Sequence, residues 1–441
     1  MPKSGFLIAA VLTFLSANAL AKDKEMVLHA FELNGDGGAP VYGLTADSKG
    51  NLYGTTYSDH KVFKLTRAKT GWTMTVISTL PQSGWPPSGV IFDKQGNLYG
   101  TTQSGPICGA VFELSPTKSG FWTEKVLHTF NNSEGTSDDG CVPFASLTFD
   151  AKGNLFGTTN KGGGGGVGGT FCFNGCGTVF ELSPNGDGTW SERVLHAFTG
   201  VKGSTDGQNP YSAVAFDSHG NLWGTTQAGG TGGSTCNPFG APPGCGTVFE
   251  LTPGKRGKWT ESFVYSFQDT DTGWYPYSGP VVDAQDNVYG PLVNGGPGNG
   301  AIFRLAPHGD GRFDESLIYT FAPCDEILGY LDGVYPFGGL TFDAGGNLYG
   351  TTFLGGAASF NCNPGGSRAT GCGTLFKLTP DGAGSWSEKI LYRFQGTTDG
   401  SEPEADRLVI DGKGRVFGTA TGGGDPSCGQ GGCGVVFEVK Q

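Results

Sequence analysis

Charge is scarce in this chain. Asp, Glu, Lys and Arg together make 15% of its 441 residues. No Lys/Arg cluster occurs, and the net charge is −12. A nucleic-acid partner needs a basic surface for phosphate, so that class is excluded. The same deficit disfavours docking on anionic membranes. Long apolar runs are missing too, so no segment after the N-terminal stretch spans a bilayer. No H-E-x-x-H, G-x-S-x-G or P-loop motif occurs. The glycine run Gly162–Gly166 lacks the following Lys-Ser/Thr, so it is no phosphate cradle. The 80 glycines follow no G-X-Y period, which excludes collagen. Aromatics at 12% exclude general disorder, because they supply apolar surface to bury.

At the N-terminus, Lys3, the apolar run Phe6–Leu15 and the small-x-small site Ala19-Leu20-Ala21 read as a secretory signal peptide over residues 1–21. A single domain over 22–441 is expected to follow, secreted, periplasmic or on the cell surface. Eleven cysteines in an exported chain read first as disulfides.

One phrase recurs seven times. It reads G-N-L-Y-G-T-T at Gly50–Thr56, Gly96–Thr102 and Gly346–Thr352, with F or W for Y at Gly153–Thr159 and Gly220–Thr226. Looser copies stand at Asp286–Leu292 and Gly414–Ala420. The mean interval of about 61 residues marks a repeat architecture. Each repeat holds four strand-like runs. Run A follows a proline and ends in Asp, run B is the phrase itself, run C resembles T-V-F-E-L, and run D opens on an aromatic such as Trp122. Four antiparallel strands, repeated seven times, predict an all-β, seven-bladed β-propeller. The last repeat stops after run C, at Val435–Val439, and Lys24–Phe31 is a run D without its own partners. Pairing of these two segments would close the ring.

The columns of the repeat suit that fold. Small residues (Gly43, Gly89, Ser146, Ala213, Gly279 and Gly339) occupy the third position after each run A proline, where blades converge. Run C carries a Phe in all seven copies, from Phe63 to Phe437, for packing between blades. The Asp ending run A, from Asp47 to Asp411, reads as a turn device of the A–B hairpin. His29, His128 and His196 share a position with Ser78, Tyr265, Tyr319 and Tyr392. A position that accepts all three types is no catalytic base.

The B–C loops are long, as in Asn160–Gly177, Gln227–Gly246 and Phe353–Gly373, and they share one face with the D–A loops. Loops on a rigid scaffold commonly carry function, so a ligand is expected there. Four local disulfides are expected in the same loops: Cys172–Cys176, Cys236–Cys245, Cys362–Cys372 and Cys428–Cys433. Cys108 can pair with Cys141 across the face, leaving Cys324 over. Zinc is the rival reading of these cysteines, without a second C-x-x-C or His pair to support it. The D–A loops repeat D-G-x-x-P at Asp139, Asp206, Asp332 and Asp399, with Asp36 and Asp271 in related positions. Aromatics gather nearby: Trp85, Phe144, Tyr211, Trp274, Tyr275, Tyr277, Tyr335 and Phe337. Acid beside aromatic makes a sugar- or cation-binding mouth, against the simpler reading of Asp-Gly as a turn. The candidate ligand residues are therefore Asp139, Asp206, Asp271, Asp332, Asp399, Trp85, Trp274 and Tyr335. No cofactor or metal is called for; Ca²⁺ is the one alternative left open, without a motif that indicates it.

The unit G-T-V-F-E-L-S-P … W-T-E-K-V-L-H-T-F … D-G … P … L-T-F-D-x-x-G-N-L-Y-G-T-T resembles the GloVer tandem repeat of exported bacterial proteins. It covers nearly all of Lys24–Val439. The D-x-x-G-N-L-Y piece is also similar to NHL-type propeller repeats. The GloVer resemblance implies a secreted or cell-surface repeat protein and no known reaction. The expected function is a binding or interaction module, monomeric, for a carbohydrate or a cell-envelope component. The alternative is an extracellular lactonase, lyase or glycosidase using Asp139, Asp206 and Asp332 as acid, base or metal ligands.

Overall fold

The structure, a computed structural model, describes residues 25–32, 35–80, 87–103, 108–130, 138–164, 175–200, 206–232, 236, 244–268, 273–295, 299–322, 332–356, 362, 371–428 and 431–441. Among these the strands form seven four-stranded antiparallel sheets and one short ribbon, Gly207–Gln208 with Ala228–Gly229. Blade 3 shows the pattern, with strand A Thr148–Phe149, B Leu155–Thr159, C Thr178–Pro184 and D Trp190–Ala197. Blade 7 takes A, B and C from Val409–Ile410, Val416–Ala420 and Val435–Val439. Its strand D is the N-terminal segment Glu25–Ala30, paired with strand C from Glu25↔Val439 to Ala30↔Val435. The ring therefore closes as the repeat count requires, and no helix beyond two 3₁₀ turns occurs among the described residues.

The repeat phrase supplies the joints. In Asp47-Ser-Lys-Gly-Asn-Leu-Tyr, the Asp47 carboxylate accepts from the backbone N–H groups of Lys49 and Asn51. It also accepts from the Asn51 amide and the Tyr53 hydroxyl. Asp217 does the same with Asn221 and the Trp223 indole N–H, and Asp411 with Arg415. The glycine of G-T-T has no room for a side chain. A Cβ on Gly157 would stand 2.6 Å from the Phe180 ring, and Gly54, Gly224 and Gly418 are covered likewise by Phe63, Phe249 and Phe437.

In several blades the first threonine of G-T-T clamps the next blade, whereas blade 5 has Pro291 there and the Thr351 hydroxyl of blade 6 finds no partner among the described residues. Thr55, Thr158 and Thr225 donate to the carbonyls of Ser88, Ser212 and Ser278. Blade 7 reaches blade 1 in the same way, through Thr419 to Tyr42. Only two residues of each run A pair with strand B, fewer than the run's length predicts. In blades 1, 2, 4 and 5 a run A carbonyl outside this pairing accepts one of these clamps. Aromatic rings fill the wedges between blades. Phe130 meets Phe180 at 5.1 Å, and Tyr99 meets Phe149 at 5.2 Å, both edge-on.

The D–A segment preceding each strand A bonds to the start of its own blade's B–C loop. Cys141 pairs with Lys161, Trp274 with Asn294 and Val334 with Leu354. Both sets of loops thus share one face. Disulfides join Cys108 to Cys141, Cys236 to Cys245, Cys362 to Cys372 and Cys428 to Cys433. Cys176 is disulfide-bonded as well. Cys172 and Cys324 lie outside the described residues.

Candidate functional site

Two sets of side chains concentrate chemistry on the loop face, one at the outer rim and one at the axis. The D-G aspartates belong to the rim. Asp139 stands 3.3 Å from His128, and Asp206 stands 3.3 Å from His196. Asp332 accepts from the Tyr319 hydroxyl at 2.8 Å and the Ala322 N–H at 2.9 Å. Asp399 accepts from the Tyr392 hydroxyl and the Gln395 N–H. At these four places the position that alternates between His and Tyr faces the loop's Asp: the Tyr319 and Tyr392 hydroxyls donate to it, and the His128 and His196 rings lie against it. The glycine after that Asp is equally constrained, since a Cβ on Gly140 or Gly333 would strike Thr159 or Thr352. Each of the four carboxylates is held by the strand D that precedes it in the chain, so they are spaced around the ring rather than gathered. Asp271 and Trp85 lie outside the described residues.

A glutamate from the next blade's strand D completes each rim cluster. Burial, then the charge of Asp139, pushes Glu192 up to about 7. Burial and Asp332 do the same to Glu388, and burial and Asp399 to Glu25. Burial holds His128 below its ordinary value, against the pull of Asp139. Burial also opposes ionisation of Asp206, but hydrogen bonds from His196 and Thr199 outweigh it and hold that carboxyl below the usual range. Among the described residues, two groups offer three ligand atoms within 4.8 Å of one another: His196, Asp206 and Glu261, and Asp217, His219 and Asp286. Neither indicates a cofactor.

The axis holds a cavity of about 470 Å³, within the usual range of roughly 300–1,000 Å³ for small-molecule sites. The residue following each run A proline faces it in blades 3 to 7: Phe144, Tyr211, Tyr277, Phe337 and Glu404. The first four form one aromatic arc. Phe144 and Tyr211 lie 4.8 Å apart, Tyr211 stacks on Tyr277 at 5.5 Å, and Tyr277 meets Phe337 edge-on at 5.1 Å. Tyr335 touches this arc from outside, and Trp274 reaches it only through Tyr275. Trp274 lies 6.1 Å from Tyr275, itself 6.3 Å from Tyr277, and Tyr335 lies 6.3 Å from Phe337. Tyr335 adopts a left-handed backbone (φ 57°), and its N–H donates to the Asn299 carbonyl.

Blade 7 breaks the pattern with acid. Asp406 stands where six blades carry Gly, Ser or Ala, and it lines the cavity with Glu404, Tyr42 and Arg407. Its carboxylate accepts from the Gly43 N–H at 2.8 Å and from the Ser146 hydroxyl at 2.5 Å. Burial, then Glu402, pushes Glu404 up to about 7. Burial, with Tyr277 and Asp406 nearby, holds the Tyr42 hydroxyl well above its ordinary value. Sequence reasoning missed Tyr42, Glu404 and Asp406. The signal was present: the run of small residues at the third position after the proline is interrupted in blade 7 by Asp406.

No curated protein matches the chain. Among solved structures, virginiamycin B lyase from Staphylococcus aureus is similar at a TM-score of 0.51 and 16% identity, over 95% of this chain and 98% of that one. YCF48 from Cyanidioschyzon merolae is similar at 0.50 and 13% identity, over 94% and 98%. At such identities the likeness shows the fold alone. The sequence itself is more telling, because the profile of the Gloeobacter/Verrucomicrobia repeat matches residues 18–174 and 172–430. With its seven repeats folded into seven blades, the chain belongs to the Gloeobacter/Verrucomicrobia repeat family.

Proposed function

We propose that this propeller is an exported binding module whose ligand seats in the axial cavity. The observation that carries this reading is the aromatic arc Phe144–Tyr211–Tyr277–Phe337 beside the blade 7 carboxylates, around one cavity. Aromatic faces with a few convergent polar groups suit a sugar ring or another small organic ligand. The rim carboxylates Asp139, Asp206, Asp332 and Asp399 hold their loops and thereby frame the mouth. Export is supported by the disulfides, which are consistent with an extracellular protein. No helix among the described residues is long and apolar enough to cross a membrane.

Isothermal titration against soluble glycans and cell-envelope fragments tests the reading. Binding by the intact protein that is lost in Tyr211→Ala and Tyr277→Ala supports it. Binding indifferent to both changes, or no binding across the panel, overturns it. The enzyme alternative rests on one specific pairing, Glu404 held up to about 7 in the same cavity as Asp406. Two carboxyls with different environments can divide acid and base roles. Turnover of a lactone or glycoside panel, abolished by Glu404→Gln, would establish it.

A further inference from the structure

Resting on that cavity as the ligand seat, we infer that the ligand presents an organic ammonium group, held between the aromatic arc and the two blade 7 carboxylates. The repeat supplies the control. Immediately after the proline, blades 1 to 6 place Val41, Pro87, Phe144, Tyr211, Tyr277 and Phe337, all uncharged. At the third position they place Gly43, Gly89, Ser146, Ala213, Gly279 and Gly339. Only blade 7 carries an acid at both positions, Glu404 and Asp406, and both line the cavity. Six blades are built without a charge at these positions, so neither acid belongs to the repeat's common pattern, and the Asp406 tie to Gly43 and Ser146 is peculiar to blade 7.

Among the described residues these acids have no ion-pair partner. Asp406 is held by a backbone N–H and a hydroxyl, and no ion pair among the described residues reaches Asp406 or Glu404. Among the described residues of the lining, Arg407 is the one basic residue. Its backbone and stem pack where Gly43 lacks a side chain, and no ion pair among the described residues ties it to either acid. An anionic ligand would face both carboxylates and a chain of net charge −12. A bare divalent ion would take oxygen ligands and leave the aromatic arc without a role. An ammonium group uses both halves, because aromatic faces attract cations and carboxylates neutralise them. Such a group occurs on amino sugars and on quaternary ammonium compounds alike.

The test is isothermal titration of the intact exported chain at pH 8. The probes are choline, its neutral isostere 3,3-dimethylbutan-1-ol, glucosamine and N-acetylglucosamine. The expected result is binding of at least one ammonium probe about tenfold tighter than its neutral counterpart. Tyr277→Leu, Glu404→Gln and Asp406→Asn should each weaken that binding severalfold. Among the described residues no hydrogen bond ties the Glu404 side chain to a neighbouring blade, so Glu404→Gln keeps the inference testable if Asp406→Asn folds poorly. Equal affinity for charged and neutral partners overturns the inference. So does binding of N-acetylglucosamine or neutral glycans without either ammonium probe, which leaves the cavity reading standing. No binding of any probe or glycan overturns both.

Discussion

The Asp406 carboxylate accepts a hydrogen bond from the Ser146 hydroxyl at 2.5 Å, between residues 260 positions apart in sequence. Its other oxygen takes the Gly43 N–H. One side chain of blade 7 therefore touches blades 1 and 3 through the axis. Its reach depends on Gly89 of blade 2, where a Cβ would stand 2.4 Å from the Ser146 hydroxyl and 3.4 Å from the carboxylate.

Removing this tie should loosen the ring. Asp406→Leu strands the Gly43 N–H and the Ser146 hydroxyl, at about 1–3 kcal/mol for buried groups left unmade. Thermal unfolding should show a lower Tm, with Asp406→Asn between the variant and the parent. An unchanged Tm for Asp406→Leu would mean that the axis does not need the tie.

Gly157 and Phe180 give a sharper packing test. A Cβ at Gly157 would lie 2.6 Å from the ring, so Gly157→Ala overpacks the blade by about 1–3 kcal/mol. Adding Phe180→Leu opens space for the methyl. The double variant should therefore fall short of the summed losses of the two single variants, as read by denaturant midpoints. Strict additivity would rule out the contact as the reason for glycine.

The strand D glutamates set a pH dependence. Glu25, Glu192 and Glu388 are each pushed from 4.5 up to about 7. The folded state thus holds protons that the unfolded chain releases. The stability these groups contribute is full below about pH 4.5 and is lost as pH rises through about 7. Carboxyls held low, such as Asp47, Asp206 and Asp343, work the other way and lose their contribution only as pH falls through and below about 3.8. The Tm should therefore be higher at pH 5 than at pH 8. Glu192→Gln with Glu388→Gln should raise the Tm at pH 8 and flatten the profile. A steeper profile in that variant would refute the assignment.

Closure predicts an asymmetric response to trimming. A chain beginning at Lys24 keeps the strand Glu25–Ala30 and should unfold as one cooperative unit. A chain beginning at Glu32 leaves Val435–Val439 without its neighbour, an exposed edge of apolar residues. It should aggregate or melt far earlier, as size-exclusion chromatography and calorimetry would show.

The blade count, the closing pair of segments and the Asp turns were legible in the chain alone. Each is a local or periodic property: a hairpin turn needs its Asp within a few residues, and a split repeat is visible at both ends. The same holds for Cys236–Cys245 and its counterparts, whose partners are close in sequence. The sites were less legible. D-G-x-x-P sets acid and aromatic side by side in sequence, whereas folding turns the Asp toward the His or Tyr of strand D and turns Phe144, Tyr211, Tyr277 and Phe337 toward the axis. The arc Phe144–Tyr211–Tyr277–Phe337 and its meeting with Asp406 join five blades, each about 60 residues from the next. Only ring closure brings such residues together, because contact across an axis depends on where all seven wedges converge and not on the order of residues within any one of them.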